Sequence, residues 1–191
     1  MKHTSGLSIA LAMIWILSGC ATSEPGAKDD APANVKLAEL SQGYALLYDL
    51  VSKEKRVNLL SFIKKESPDL KSLLERVSEA SKATANEMET LAKLDPPLNL
   101  KVTNLPRIED AARDSIDKET SKAILNSEGV RLEFTMVSSQ LAGMNYAAHL
   151  ARILAAVDPN PQRKEFLLQT DRKFSDLHRQ MYNMLYARYQ R

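Results

Sequence analysis

Three observations predict an all-α fold, an elongated four-helix bundle over residues 35–191. Apolar side chains recur at steps of three and four, prolines stand at segment boundaries, and no stretch sustains period-two alternation with β-branched enrichment. In the first helix Leu37, Leu40, Tyr44, Leu47 and Val51 form the stripe. Lys53-Glu54-Lys55-Arg56 interrupts it as a solvated charged face, and Val57, Leu60 and Ile63 resume it. Ser67-Pro68-Asp69 starts the second helix, with Ser as N-cap, Pro at N1 where no N–H is required, and Asp at the positive end of the dipole. Leu70, Leu73, Val77, Thr84, Met88 and Leu91 follow on one face, with Glu89 and Lys93 as an i,i+4 pair. Asp95-Pro96-Pro97 ends the helix.

Residues 98–106 read as an extended linker. The 12 residues from Asp95 to Pro106 reach at most about 40 Å, nearly a helix length, which permits a crossover connection. A third helix begins near Arg107, with Ile108, Ala112, Ile116 and Ala123 on its apolar face. Asn126-Ser127-Glu128-Gly129 predicts a kink or a split in it, since glycine inside a helix costs about 1 kcal/mol. The continuation from Val130 to Val157 carries few charges and many small residues, among them Ser138, Ser139, Ala142, Gly143, Ala147, Ala148 and Ala151. A helix apolar nearly all round is expected at the centre, where small residues allow close approach. Asp158-Pro159-Asn160-Pro161 turns the chain, and Pro161 takes N1 of the last helix. There Leu167, Thr170, Phe174, Leu177, Met181 and Met184 form a heptad seam.

Composition narrows function by exclusion. The 191 residues hold 26 basic and 24 acidic side chains, a net charge of +2, too balanced for a nucleic-acid binder. Cys20 is the only cysteine and Trp15 the only tryptophan, so the chain after Cys20 has no thiol for a disulfide, a zinc or iron–sulfur site, or nucleophilic catalysis. Six glycines, no G-x-S-x-G and no phosphate loop argue against the common enzyme motifs, and the chain is read as a non-enzyme.

The amino terminus reads as an address. Met1-Lys2-His3 is basic, and Leu7 to Leu17 is an uncharged apolar run of 11 residues. That is short of the roughly 20 a membrane span requires, and it has the length of a signal-peptide core. It ends in Leu17-Ser18-Gly19-Cys20, which resembles the lipobox of bacterial lipoproteins at all four positions. The resemblance implies cleavage before Cys20, removal of residues 1–19, and a covalent diacylglycerol and N-acyl lipid on Cys20, with no other cofactor. Two or more acyl chains give stable anchoring where one does not. Residues 20–34 then form the lipidated end and a flexible tether spanning on the order of 20 Å. Ala21 is not the Asp that resembles an inner-membrane retention signal. In a Gram-negative source the resemblance therefore implies the periplasmic side of the outer membrane. The outer leaflet of the inner membrane and a Gram-positive surface are the alternatives.

The helix order over 35–189 resembles the ferritin-like helical domains of bacterial envelope proteins of unknown function. Such a domain would hold metal through Glu-x-x-His pairs. Here Tyr146 and Ser175 stand three residues before His149 and His178, so the ligand pattern is absent. His149 remains the candidate polar contact inside the bundle, expected to be partly buried against a neighbouring helix. A hydrolase would need His149 near both a serine and a carboxylate. Tyr182, Tyr186 and Tyr189 recur at i, i+4 and i+7, and with Arg188 they form a candidate surface for an envelope protein partner. Two function classes follow. One is a lipid-anchored structural or interaction module, and the other is a small-molecule or metal-binding ferritin-like domain.

Overall fold

Every described residue of the core belongs to a helix or to a loop that ties two helices together. The computed structural model describes residues 33–58, 67–103 and 105–189, and among them are five α-helices and no strand. These are α1 (Ala33–Glu54), α2 (Pro68–Leu91), α3 (Arg107–Leu125), α4 (Gly129–Val157) and α5 (Pro161–Tyr189). Helix α1 begins two residues earlier than the tether boundary predicted from sequence, so Ala33 and Asn34 are helical. Leu60 and Ile63, expected to continue its stripe, lie outside the described residues.

The helix starts follow local chemistry. Ser67 caps α2 by accepting from the Leu70 N–H at 3.4 Å, with Pro68 at N1 and Asp69 in the first turn. Asn160 caps α5: its Oδ1 accepts from the backbone N–H groups of Gln162 (3.0 Å) and Arg163 (3.1 Å), and Pro161 opens the helix. Between α3 and α4 the chain breaks completely. Gly129 has φ +53°, a left-handed conformation that glycine adopts without a Cβ penalty, and the helix direction changes there. The third helix of the sequence reading is therefore two helices.

Helix pairing can be read from side-chain contacts. Antiparallel packing of α1 and α2 brings Ser78 Oγ to the Lys55 carbonyl (2.7 Å) and the Tyr48 hydroxyl to Glu89. Helix α4 runs antiparallel to α1, where Gly43 meets Leu154 and Gly143 meets Glu54. It is also antiparallel to α5, where Arg152 meets Asp171 and Glu133 meets Arg188. Helix α2 also packs on α5, and α3 packs on α4. Touching α1, α3 and α5, α4 has the largest share of neighbours, as its small residues suggested.

The core is built from Leu40, Tyr44, Leu47 and Val51 of α1, Leu70, Leu74, Val77 and Met88 of α2, Met136, Met144 and Ala151 of α4, and Leu167, Phe174 and Met181 of α5. Each large apolar side chain taken fully from water contributes about 1.5–3 kcal/mol before entropy is counted. Helix α3 departs from expectation. It has no buried residue, and the predicted inward face is exposed, with Ile108 86% and Ile116 64% accessible. Its bundle-facing stripe is Arg113, Asp117, Thr120 and Ile124 instead. Polar links hold it: Lys53 Nζ to Asp117 Oδ2 at 2.9 Å, and Arg113 to Tyr146. No helix among the described residues is long and apolar enough to cross a membrane.

Candidate functional site

The most tightly knit polar group lies where α4 turns into α5. Arg163 and Asp158 have fully buried side chains and form an ion pair, Nε to Oδ2 at 2.9 Å and Nη2 to Oδ1 at 3.1 Å. Asp158 also accepts from the Tyr44 hydroxyl (2.6 Å) and the Asn160 N–H (2.8 Å). Arg163 Nη1 donates to the carbonyls of Leu94 (3.2 Å) and Pro96 (2.9 Å). The Asn160 amide donates to the Asp95 carbonyl at 3.1 Å. One buried pair thus ties together α1, the loop after α2, and the α4–α5 turn. Burial, together with donation to Asp158, pushes the Tyr44 phenol well above the usual tyrosine range. Nearly every polar atom here is satisfied within the protein. The arrangement suits a structural clamp better than a catalytic group, which would need an atom left available to substrate.

A cleft of about 620 Å³ lies between α1, α3 and α4. Its sides carry Leu46, Leu50, Ile116 and Ile124 beside Asp49, Lys53, Glu54, Arg113, Asp117 and Tyr146. Ser139, Ala142 and Gly143 of α4 supply the small side chains that leave the space. Burial pushes the Glu54 carboxyl upward, partly opposed by a hydrogen bond from Gln140. Gln140 is itself buried, and its Oε1 has no hydrogen-bond partner.

A second opening of about 470 Å³ lies at the far end of α4 and α5. It is walled by Val130, Phe134, Val137, Met184 and Leu185, and clasped by Glu133 and Arg188. Arg188 pairs with Glu133 and donates to Ser67 Oγ at 2.6 Å, while the Ser67 N–H donates to Glu133 at 2.8 Å. The arginine predicted to face a partner is therefore engaged within the chain, joining α2, α4 and α5. Tyr182 and Tyr186 are both 56% exposed and stack with ring centroids 6.4 Å apart and planes 8° apart. Tyr189 ends α5, and its side chain lies outside the described residues, as do Cys20 and residues 1–19.

His149 is exposed, not set inside the bundle. Its position on α4 places it near Asp171, whose carboxylate receives both Arg152 Nε and Nη2 at 2.9 Å and the Ser175 hydroxyl at 3.1 Å. A serine and an aspartate do meet here with a histidine nearby, but the serine donates to the aspartate and the arginine occupies its oxygens. The relay that activates a serine through histidine needs the opposite order. Among the described residues no three His, Cys, Asp or Glu side chains come together as a metal site.

Comparison of the chain with protein-family models, curated proteins and solved structures finds no match.

Asp158, Arg163 and Glu54 escaped the sequence reading. For Arg163 a signal existed: a cation in the first turn of a helix opposes the dipole and calls for a nearby anion, and Asp158 stands five residues earlier. Glu54 sat in a charge run read as solvated. It is in fact half-buried, packed against Gly143, 89 residues away.

Proposed function

We propose that this protein is a lipid-anchored envelope lipoprotein whose helical domain serves as a protein-interaction module. The supporting observation is α3, a helix of 19 residues laid on the outside of the molecule with no buried residue, with Ile108 almost wholly exposed and Ile116 largely so at the rim of the cleft. Ordering such a helix costs backbone entropy that burial of its own apolar face does not offset. Covering that face with a partner would supply the missing term, and exposed apolar surface of this kind marks interaction sites. In this reading α1, α2, α4 and α5 act as a four-helix bundle. The linker and α3 form its crossover connection and display the docking face, while Tyr182 and Tyr186 extend the surface on α5.

The lipobox Leu17-Ser18-Gly19-Cys20 supports the anchor, and the membrane is thus the first partner. Affinity capture of the native, membrane-anchored protein tests the interaction reading. A partner recovered with wild type and lost from Ile108→Asp/Ile116→Asp, at unchanged helical content, supports it. Equal recovery from both refutes it. Labelling with a palmitate analogue tests the anchor, with all label expected to disappear in Cys20→Ser.

A further inference from the structure

We propose that the cleft between α1, α3 and α4 binds a small organic cation bearing an apolar group, with the Glu54 carboxylate as its counter-charge. The volume, about 620 Å³, falls within the roughly 300–1,000 Å³ of small-molecule pockets. Charge complementarity selects the ligand. Lys53 bridges Asp49 at 3.1 Å and Asp117 at 2.9 Å, and Arg113 bonds Glu109 at 2.7 Å and Tyr146. Both cations of the cleft are thereby committed. Among the described residues Glu54 makes no ion pair within 4 Å, and its hydrogen bond comes from the neutral amide of Gln140. The carboxylate stands against the middle of α4, where Gly143 leaves room for it: a Cβ there would lie 3.3 Å from Glu54 Oε1. A carboxylate drawn from water without a cation is costly, and a ligand ammonium would remove that cost. Burial, with the Asp117 carboxylate nearby, pushes its proton affinity upward, and Gln140 and Lys53, itself shared between Asp49 and Asp117, oppose this only in part.

The rest of the cleft sets the ligand's other half. Leu50 of α1 and Ile124 of α3 offer apolar walls, Ile116 stands at the exposed rim, and Tyr146 adds an aromatic ring. An anion would face Glu54 directly and is disfavoured. A bare divalent ion would require a cluster of ligands, which the described residues do not assemble. Helix α3 is held along the cleft by Lys53–Asp117 and by Arg113–Tyr146.

The probe is 2-phenylethylammonium, with 2-phenylethanol as its neutral counterpart. The full chain is held in phosphatidylcholine nanodiscs, with empty discs as blank, and methyl-labelled Ile and Leu report by NMR. Saturable shifts are expected at Leu50, Ile116 and Ile124. Glu54→Gln should weaken the ammonium about tenfold, the loss of one charge-assisted contact, and leave the alcohol unchanged. Gly143→Leu, filling the floor, should abolish both where circular dichroism shows the fold retained. The proposal is overturned by any of three results: no saturable shift in wild type, shifts confined to other methyls such as those of Leu132 and Leu185, or equal ammonium affinity in wild type and Glu54→Gln.

Discussion

Replacing Asp158 with Asn should be among the most damaging single-atom-scale changes this protein can undergo. The substitution keeps the size of the side chain and removes its charge. Arg163 remains fully buried, with Nε and Nη2 facing a neutral amide, where they had a carboxylate at 2.9 and 3.1 Å. Breaking a buried ion pair from one side costs about 3–5 kcal/mol, because the surviving charge is left uncompensated. Set against a total stability of about 5–15 kcal/mol for a domain, that is a large fraction. For a chain of this size the melting temperature should fall by roughly 6–20 °C. Tyr44→Phe removes one hydrogen bond to the same carboxylate while Arg163 and Asn160 continue to satisfy it, so its cost should be smaller, about 1.5–3 kcal/mol. Asp158→Leu combined with Arg163→Met, which leaves no charge behind, should recover much of the loss. Urea unfolding followed by circular dichroism at 222 nm measures all three. A cost below about 1 kcal/mol for Asp158→Asn, or a double variant no better than the single, would refute the reasoning.

Four further outcomes are expected. Tyr44 holds its proton in the folded state above the pH of about 10 at which an unfolded tyrosine releases it; its contribution is therefore constant below pH 10 and lost as pH rises beyond. The alkaline limb of the stability curve should be shallower in Tyr44→Phe. Leu74→Ala empties a fully buried position of α2 and should cost about 2–5 kcal/mol by the same urea assay. Ser67→Ala removes the α2 cap and the acceptor of Arg188, and should cost about 1 kcal/mol or somewhat more. The two-pronged contact from Arg152 holds the Asp171 carboxyl below the usual aspartate range, so a carbon-detected NMR titration of Arg152→Ala should show that carboxyl moving upward.

Much of the architecture was legible in local pattern. The stripes Leu40–Tyr44–Leu47–Val51, Leu70–Leu73–Val77–Thr84–Met88–Leu91 and Leu167–Thr170–Phe174–Leu177–Met181 are buried as their spacing implied. Ser67 and Pro161 start helices because capping and proline geometry act over three or four residues. The predicted stripe on α3 failed for a different reason. Ile108, Ala112 and Ile116 do share a face, but periodicity says only that a face exists, not that a neighbour covers it. Lys53 and Tyr146 took hold of the opposite, polar side. Arg188 was likewise read as a surface cation because nothing near it in sequence offers a partner; Glu133 and Ser67 reach it only through the packing of α4 and α2 on α5.

By itself, the sequence determined the helices, the starts of α2 and α5, and the inward faces of α1, α2 and α5, since each depends on residues within a few turns. It also carried Leu17-Ser18-Gly19-Cys20, four contiguous residues that resemble a lipobox. Tertiary structure alone decided which charges are buried in pairs, as with Asp158 and Arg163, and which carboxylate makes no ion pair among the described residues, as with Glu54. It also decided which apolar face stays bare, as on α3. Those outcomes depend on distances between side chains that the sequence separates widely, and the desolvation that gives them their energetic weight exists only once helices have closed around them.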